Sequence, residues 1–269
     1  MVQPIQSRTR WRRYVIASGL LRHVLFGQVF CDSHWNIAVR RCSVRAVKTE
    51  RSGNPWFEVL QFWFGDSYFT NKQALNERSY LRERAKVWYR GGRDFDDRCK
   101  VFIPLMRKDT SSAPSESSEH DLARIILFDQ IARNAFRGTR AAFAYDGAAC
   151  ALVEKLVSDG FDTQCSAAEL LFLAQPLVHA EVPSDGSLAR SGMSLLQTNM
   201  QRFPADTSQH IFQALLSHDK HLTVLRRFGR YPHRNDALGR ESKPEEVAWL
   251  ASPECPGWAK SQQPNWRNN

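Results

Sequence analysis

Long apolar runs are missing from this chain. No stretch approaches the roughly 18 apolar residues that a membrane-spanning helix needs; the best, Tyr14 to Phe30, is broken by Arg22, His23 and Gln28. Ordered cysteine patterns are missing too. Cys31, Cys42, Cys99, Cys150, Cys165 and Cys255 form no C-x-x-C pair and no regular framework, which reads as a reducing-compartment protein with buried or free thiols. No segment alternates polar and apolar residues at period two, so strands are not predicted. There is no G-x-S-x-G turn and no H-E-x-x-H helix, which removes the commonest serine-nucleophile and zinc-hydrolase layouts. Repeats at the periods of helical solenoids are also absent.

Acids are nearly absent from the first 49 residues. Eight arginines (8, 10, 12, 13, 22, 40, 41, 45) and Lys48 stand there against Asp32 alone, a net +8 of the chain's +9. The remaining chain is therefore close to neutral at +1. An Arg-rich, acid-poor segment with interspersed Ser and apolar residues has the composition of an organellar transit peptide, mitochondrial or other; the alternative is a disordered basic tail on a cytoplasmic protein. A nucleic-acid partner is not predicted, because such surfaces recruit basic residues from the folded body. With 42% hydrophobic and 24% charged residues, the rest has ample material for a core. The expected layout is a basic extension over 1–53, a helical domain over 54–258 and a tail over 259–269.

Helix signals recur along the body. Asn54-Pro55 is an N-cap followed by a first-turn proline, opening an aromatic helix over 56–64 that Gly65 ends. Residues 74–90 read as a polar connection. A helix over 94–107 carries Phe95, Cys99, Phe102 and Met106 on one stripe. The Ser-rich stretch 110–118 is a loop or a boundary between halves, and Ser118 with Asp121 signals a helix over 119–137. On that helix Asp129, Arg133 and Arg137 follow Leu122 and Ile126 along one inward stripe, with Gln130 beside them. Asp146 is the N-cap of the next helix, which ends at Gly160. Ser166 to Glu169 is a capping box that opens an apolar helix to Ala180, kinked at Pro176. Helices over 187–201 and 208–228 follow. A second capping box, Ser242 to Glu245, starts a short closing helix, and Pro253 and Pro256 lead into the tail. The fold predicted is all-α, an array or bundle of antiparallel helices.

The stretch 227–235, Arg-Phe-Gly-Arg-Tyr-Pro-His-Arg-Asn, concentrates polar chemistry on a helix stop and a rigid turn. Together with Phe62-Trp63-Phe64-Gly65, the run 127–139, Ala142 to Asp146, the run 172–181 and Leu238 to Ser242, it resembles the family called domain of unknown function 924. The resemblance spans about 56–252 in the family's order. It implies a tetratricopeptide-like helical fold and no known reaction. The polar positions it implies are Asp129, Gln130, Arg133, Asn134, Arg137, Asp146, His179, Glu181, His221, Arg227, Arg230, His233, Arg234, Asn235 and Arg240. Ala132 and Ala180 replace the family's usual Pro and Ser, and Pro-Ser-Asp-Gly at 183–186 replaces an acidic stretch, changing the loop beside His179 and Glu181.

Arginine forks read carboxylate or phosphate. The ligand-binding candidates are therefore Arg133, Arg137, Arg230, Arg234 and Arg240, with Asp129, Gln130, Asn134 and Asn235. His179, Glu181, His221 and His233 are the acid–base candidates. A metal set would need His218 and His221 with His179 and Glu181, a spacing that matches no ligand motif, so neither metal nor cofactor is predicted. The expected partner is a small anionic molecule or an acidic peptide. The competing function is a non-enzymatic helical scaffold that holds a peptide in a concave groove.

Overall fold

The computed structural model describes residues 53–90, 92–109 and 116–261; the basic segment with its targeting signal, most of the Ser-rich stretch and residues 262–269 lie outside them. Every regular element among the described residues is helical. Helix α1, Pro55–Phe64, starts as the sequence predicts: the Asn54 side chain accepts from the Trp56 N–H, and Gly65 ends the helix at φ +77°, a left-handed conformation that favours glycine.

Residues 78–90 are a correction. They form helix α2, Arg78–Arg90, rather than a polar connection. Its inner face is narrow, with Leu81 and Trp88 buried, so hydrophobic periodicity hardly marks it. It is fixed instead by hydrogen bonds to the C-terminal carbonyls of α1, which no intrahelical donor reaches. The Tyr80 hydroxyl donates to Phe64 O at 2.6 Å, Trp88 Nε1 to Trp63 O at 2.8 Å, and the Arg84 guanidinium to Phe62 O and Trp63 O.

The predicted helix over 94–107 is two, α3 (Gly92–Cys99) and α4 (Ile103–Lys108), joined by a 3₁₀ turn, and its stripe is buried as expected. Ser117, one residue before the predicted cap, accepts from the His120 N–H and opens α5. This long helix runs through Ser118–Ile125, a π-helical stretch Ile126–Ile131 and Ala132–Ala135. Helix α6 is Asp146–Ser158, α7 is Ala167–His179, α8 is Ser187–Asn199, α9 is Ala205–Phe228 and α10 is Pro244–Ala251.

Helix α7 is the hub, packed against α5, α6, α8 and α9 and buried almost all round. Its capping box forms as predicted, and the Glu169 carboxylate also accepts from the Tyr68 hydroxyl at 2.9 Å. Trp63, Trp88 and Phe172 meet edge-to-face (Trp63–Phe172 5.3 Å, Trp88–Phe172 4.6 Å), an arrangement worth about 0.5–1.5 kcal/mol per pair beyond area burial. A smaller cluster around Leu222, Tyr231, Trp249, Cys255 and Ala259 gathers the C-terminal corner. That corner extends past the predicted boundary: Gly257–Ser261 is a helical turn with Ala259 fully buried. The second capping box does not form: Ser242 Oγ accepts from Asn235 Nδ2, and it is Glu246, not Glu245, that accepts from the Lys243 N–H at the start of α10.

Helices α7 and α8 touch at Gly192, where a Cβ would stand 2.8 Å from the Ala174 carbonyl oxygen and 3.0 Å from Val178 Cγ2. Gly192→Val is expected to cost about 1–3 kcal/mol in urea denaturation. Gly147→Ala, which meets open space on a helical backbone, is expected to be neutral or stabilising by about 0.4–1 kcal/mol. Equal effects of the two changes would contradict the close α7–α8 approach.

Candidate functional site

A cleft of about 770 Å³ opens beside the C-terminus of α7, within the range of small-molecule sites. Helix α5 contributes Gln130, Arg133 and Asn134, and Arg137 follows just beyond its end; His179 closes α7, and His221 comes from α9. His233 and Arg234 arrive from the 3₁₀ turn Pro232–Arg234 that Gly229, at φ +69°, allows to follow α9. Eight of the predicted residues thus share one wall.

The others do not. Arg230 makes a two-pronged pair with Glu246 (Nε–Oε1 and Nη2–Oε2, both 2.7 Å), and Asn235 Nδ2 donates to the same carboxylate at 3.1 Å. Arg240 grips Glu181 at 2.8 and 3.1 Å, and Glu181 also accepts from the Tyr231 N–H at 2.6 Å. These four residues lie outside the cleft lining; the corner is braced by its own cations, which are committed to Glu246 and Glu181. Arg227 is half exposed at the surface, 3.7 Å from Glu254.

Asp129 stands behind the wall, fully buried. Its carboxylate lies 2.8 Å from His179 Nδ1 and 3.2 Å from Arg133 Nη2. Burial pushes Asp129 upward, but Arg133 and then His179 hold it well below the usual carboxylate range. Asp146, predicted as an N-cap, makes no cap bond; Tyr145 holds that position. The carboxylate instead bridges Arg133 Nη1 at 2.8 Å and Arg234 Nη1 at 3.1 Å. Arg137 is matched by Asp96, with two contacts of 2.9 Å, and its Nη1 donates to Ser261 O at 2.9 Å. Among the described residues, three arginines therefore face the cleft and no Asp or Glu lines it.

Sequence reasoning missed much of the rest of the lining. His210, Gln213 and Ser217 precede the predicted His221 along α9 at i, i+3, i+7 and i+11 and line the cleft with it, with His218 beside them; this polar stripe was legible at helical spacing. Trp88 and Tyr89 of α2, Phe143, Leu171, Gln175 and Trp258 also line it. Trp258 stacks on His221 with centroids 3.7 Å apart and planes 13° off parallel. Among the described residues no group of three or more His, Cys, Asp or Glu is placed to hold a metal ion. The four thiols among the described residues are buried, and burial pushes Cys99, Cys150 and Cys165 up to about 12, far from the thiolate a nucleophile needs.

The imidazoles are held neutral. Burial lowers His179 more than Asp129 raises it, and Arg133 adds to the fall. Burial, then His179, lowers His221 and takes His218 down to about 3; burial, then Arg234, lowers His233. With Nδ1–H of His179 donated to Asp129, and that of His221 to Ser217 O at 2.8 Å, Nε2 of each ring keeps its lone pair.

A histidine whose pKa is depressed by folding binds its proton more readily in the unfolded chain. Its stabilising contribution is complete above the unfolded pKa of about 6.5 and is lost as pH falls through that value toward the native pKa. Stability is therefore expected to drop between pH 7 and pH 5, where Asp129, perturbed in the opposite direction, does not titrate. In urea midpoints taken at half-unit steps, His218→Gln should flatten the slope; parallel curves for the two proteins would show that His218 is not held neutral.

A solved structure described as a protein of unknown function, ATU0120, from Agrobacterium tumefaciens shares 24% identity; the match covers 73% of this chain and 96% of that one, with a TM-score of 0.48. No curated protein matches. The family model for the bacterial protein of unknown function DUF924 matches residues 59–254, which include every lining residue named above except Gly257, Trp258 and Ser261, and the chain belongs to that family.

Proposed function

We propose that the cleft binds a small molecule carrying a carboxylate or phosphate, and that the Asp129–His179 pair serves as a general base toward it. The supporting observation is the layout of charge. Arg133, Arg137 and Arg234 line the cleft, and their partners Asp129, Asp146 and Asp96 stand behind them. A ligand in the cleft meets the cations at closer range than the anions, and in a partly desolvated site that difference is weakly screened. Arginines already held by carboxylates are also pre-oriented, which lowers the ordering cost of binding. Asp129 fixes the His179 tautomer through Nδ1 at 2.8 Å, leaving Nε2 to accept a proton, the arrangement that orients a catalytic imidazole.

The competing reading is a tetratricopeptide-like scaffold that takes an acidic peptide. Exposed Tyr89, Phe212 and Leu216 favour it, since a peptide groove offers apolar anchors beyond the reach of a small ligand.

Thermal-shift measurements with inorganic phosphate, pyrophosphate, citrate and hexaglutamate separate the two. Small anions are expected to raise the Tm of the wild type. Arg137→Gln, the most open of the three arginines at 17% side-chain exposure, should weaken that binding about tenfold or more while keeping a native circular-dichroism spectrum. A shift with hexaglutamate alone favours the scaffold, and small-anion shifts unaffected by Arg137→Gln would refute the arginine site.

A further inference from the structure

Away from its arginines the cleft is walled by rings. Among the described residues Leu171 is its one branched aliphatic side chain, whereas Trp88, Tyr89, Phe143 and Trp258 all line it. Tyr89 is the most telling. It is 58% exposed, yet its position is fixed: the hydroxyl accepts from Gln175 Nε2 at 2.9 Å, and the ring meets Trp88 at 6.3 Å and 73°. A large ring held in one orientation and exposed in a concave wall offers a flat apolar contact surface.

Trp258 provides a second platform. It stacks on His221, is met steeply by His233 at 5.4 Å and 75°, and keeps an indole N–H without a partner. Rings and cations are interleaved, since the Arg234 and Arg133 guanidiniums stand 4.5 and 5.5 Å from the Phe143 ring centre. An aliphatic ligand would be met by branched side chains, which are nearly missing. A sugar would present several hydroxyl donors, and among the described residues no carboxylate lines the cleft to accept them in pairs.

We infer that the ligand is an aromatic or heteroaromatic anion, its acid group toward Arg133, Arg137 and Arg234 and its ring against Tyr89 and Trp258. The inference rests on the anion site proposed above and adds the ring. Flat π surfaces gain from offset or edge contacts beyond the area they bury, so the ring, and not just the charge, should discriminate among acids.

Isothermal titration of the full chain with 2-naphthoate and its perhydro analogue, which carry the same charge, tests this directly. The aromatic acid is expected to bind about tenfold tighter. Tyr89→Leu and Trp258→Leu should each reduce the preference for the aromatic over the saturated acid. Tyr89→Leu alters an exposed position and so guards against misfolding as an explanation. Equal affinities for the two acids overturn the ring and leave the anion site standing, and so does tighter binding of glucose 6-phosphate than of 2-naphthyl phosphate. If uncharged 2-naphthylmethanol binds as well as 2-naphthoate and Arg137→Gln changes nothing, the ring stands and the anion site falls. If none of these probes binds, both are overturned.

Discussion

A closed circuit of buried charge holds this fold and its cleft together. His179 Nδ1 meets Asp129, Asp129 meets Arg133, Arg133 meets Asp146, Asp146 meets Arg234, and Arg234 Nη2 returns to the His179 carbonyl at 2.7 Å. The circuit joins α5, α6, α7 and the turn after α9. Desolvation of its charges consumes much of their mutual attraction, so the circuit adds little to net stability. Removing one member, however, leaves a buried charge unmatched and costs about 3–5 kcal/mol. What it supplies is specificity: one relative placement of four elements satisfies every link.

The neighbouring pairs extend the same logic outward. Arg240–Glu181 and Arg230–Glu246 pin the corner around Tyr231, whose hydroxyl donates to the Val178 carbonyl at 2.5 Å, within the last turn of α7. In α5 the π stretch Ile126–Ile131 breaks the even 3.6-residue spacing where Asp129 and Gln130 sit. Such stretches recur at functional sites because they re-aim side chains within a continuous helix. Here the result is that Asp129 is turned behind the wall toward His179, while Gln130, Arg133 and Asn134 line the cleft.

Local signals made much of this legible. The Asn54 cap, the Ser166–Glu169 box and the inward stripe of α5 each depend on residues a few positions apart, and all three form. Long-range choices were not legible. Asp146 looks like a cap from its immediate neighbours, but its partners lie 13 and 88 residues away. Arg84 helps make 74–90 look polar because its role, donating to the end of α1, is written in another helix. Arg133, Arg137 and Arg234 could not be told from Arg230 and Arg240 by composition, since all five find acids and only the fold decides which also face a cavity. Pro253 and Pro256 signalled a tail, yet the turn after them is held by Trp258 on His221 and by Ser261 on Arg137.

The same charges that brace the fold also set the chemistry available to His179. Burial and the Arg133 and Arg234 guanidiniums keep its imidazole neutral although Asp129 stands beside it. A neutral ring with a low pKa is ready to accept a proton at ordinary pH but is a weak base. An anion seated on those arginines would offset their repulsion of an imidazolium and raise the pKa of His179 toward the operating pH, where a general base is most effective. On the proposed function, then, the base strengthens when the ligand is in place and stays weak in the empty cleft. The buried circuit makes this coupling possible, because Asp129 and Arg133 are shared between bracing the helices and tuning the ring.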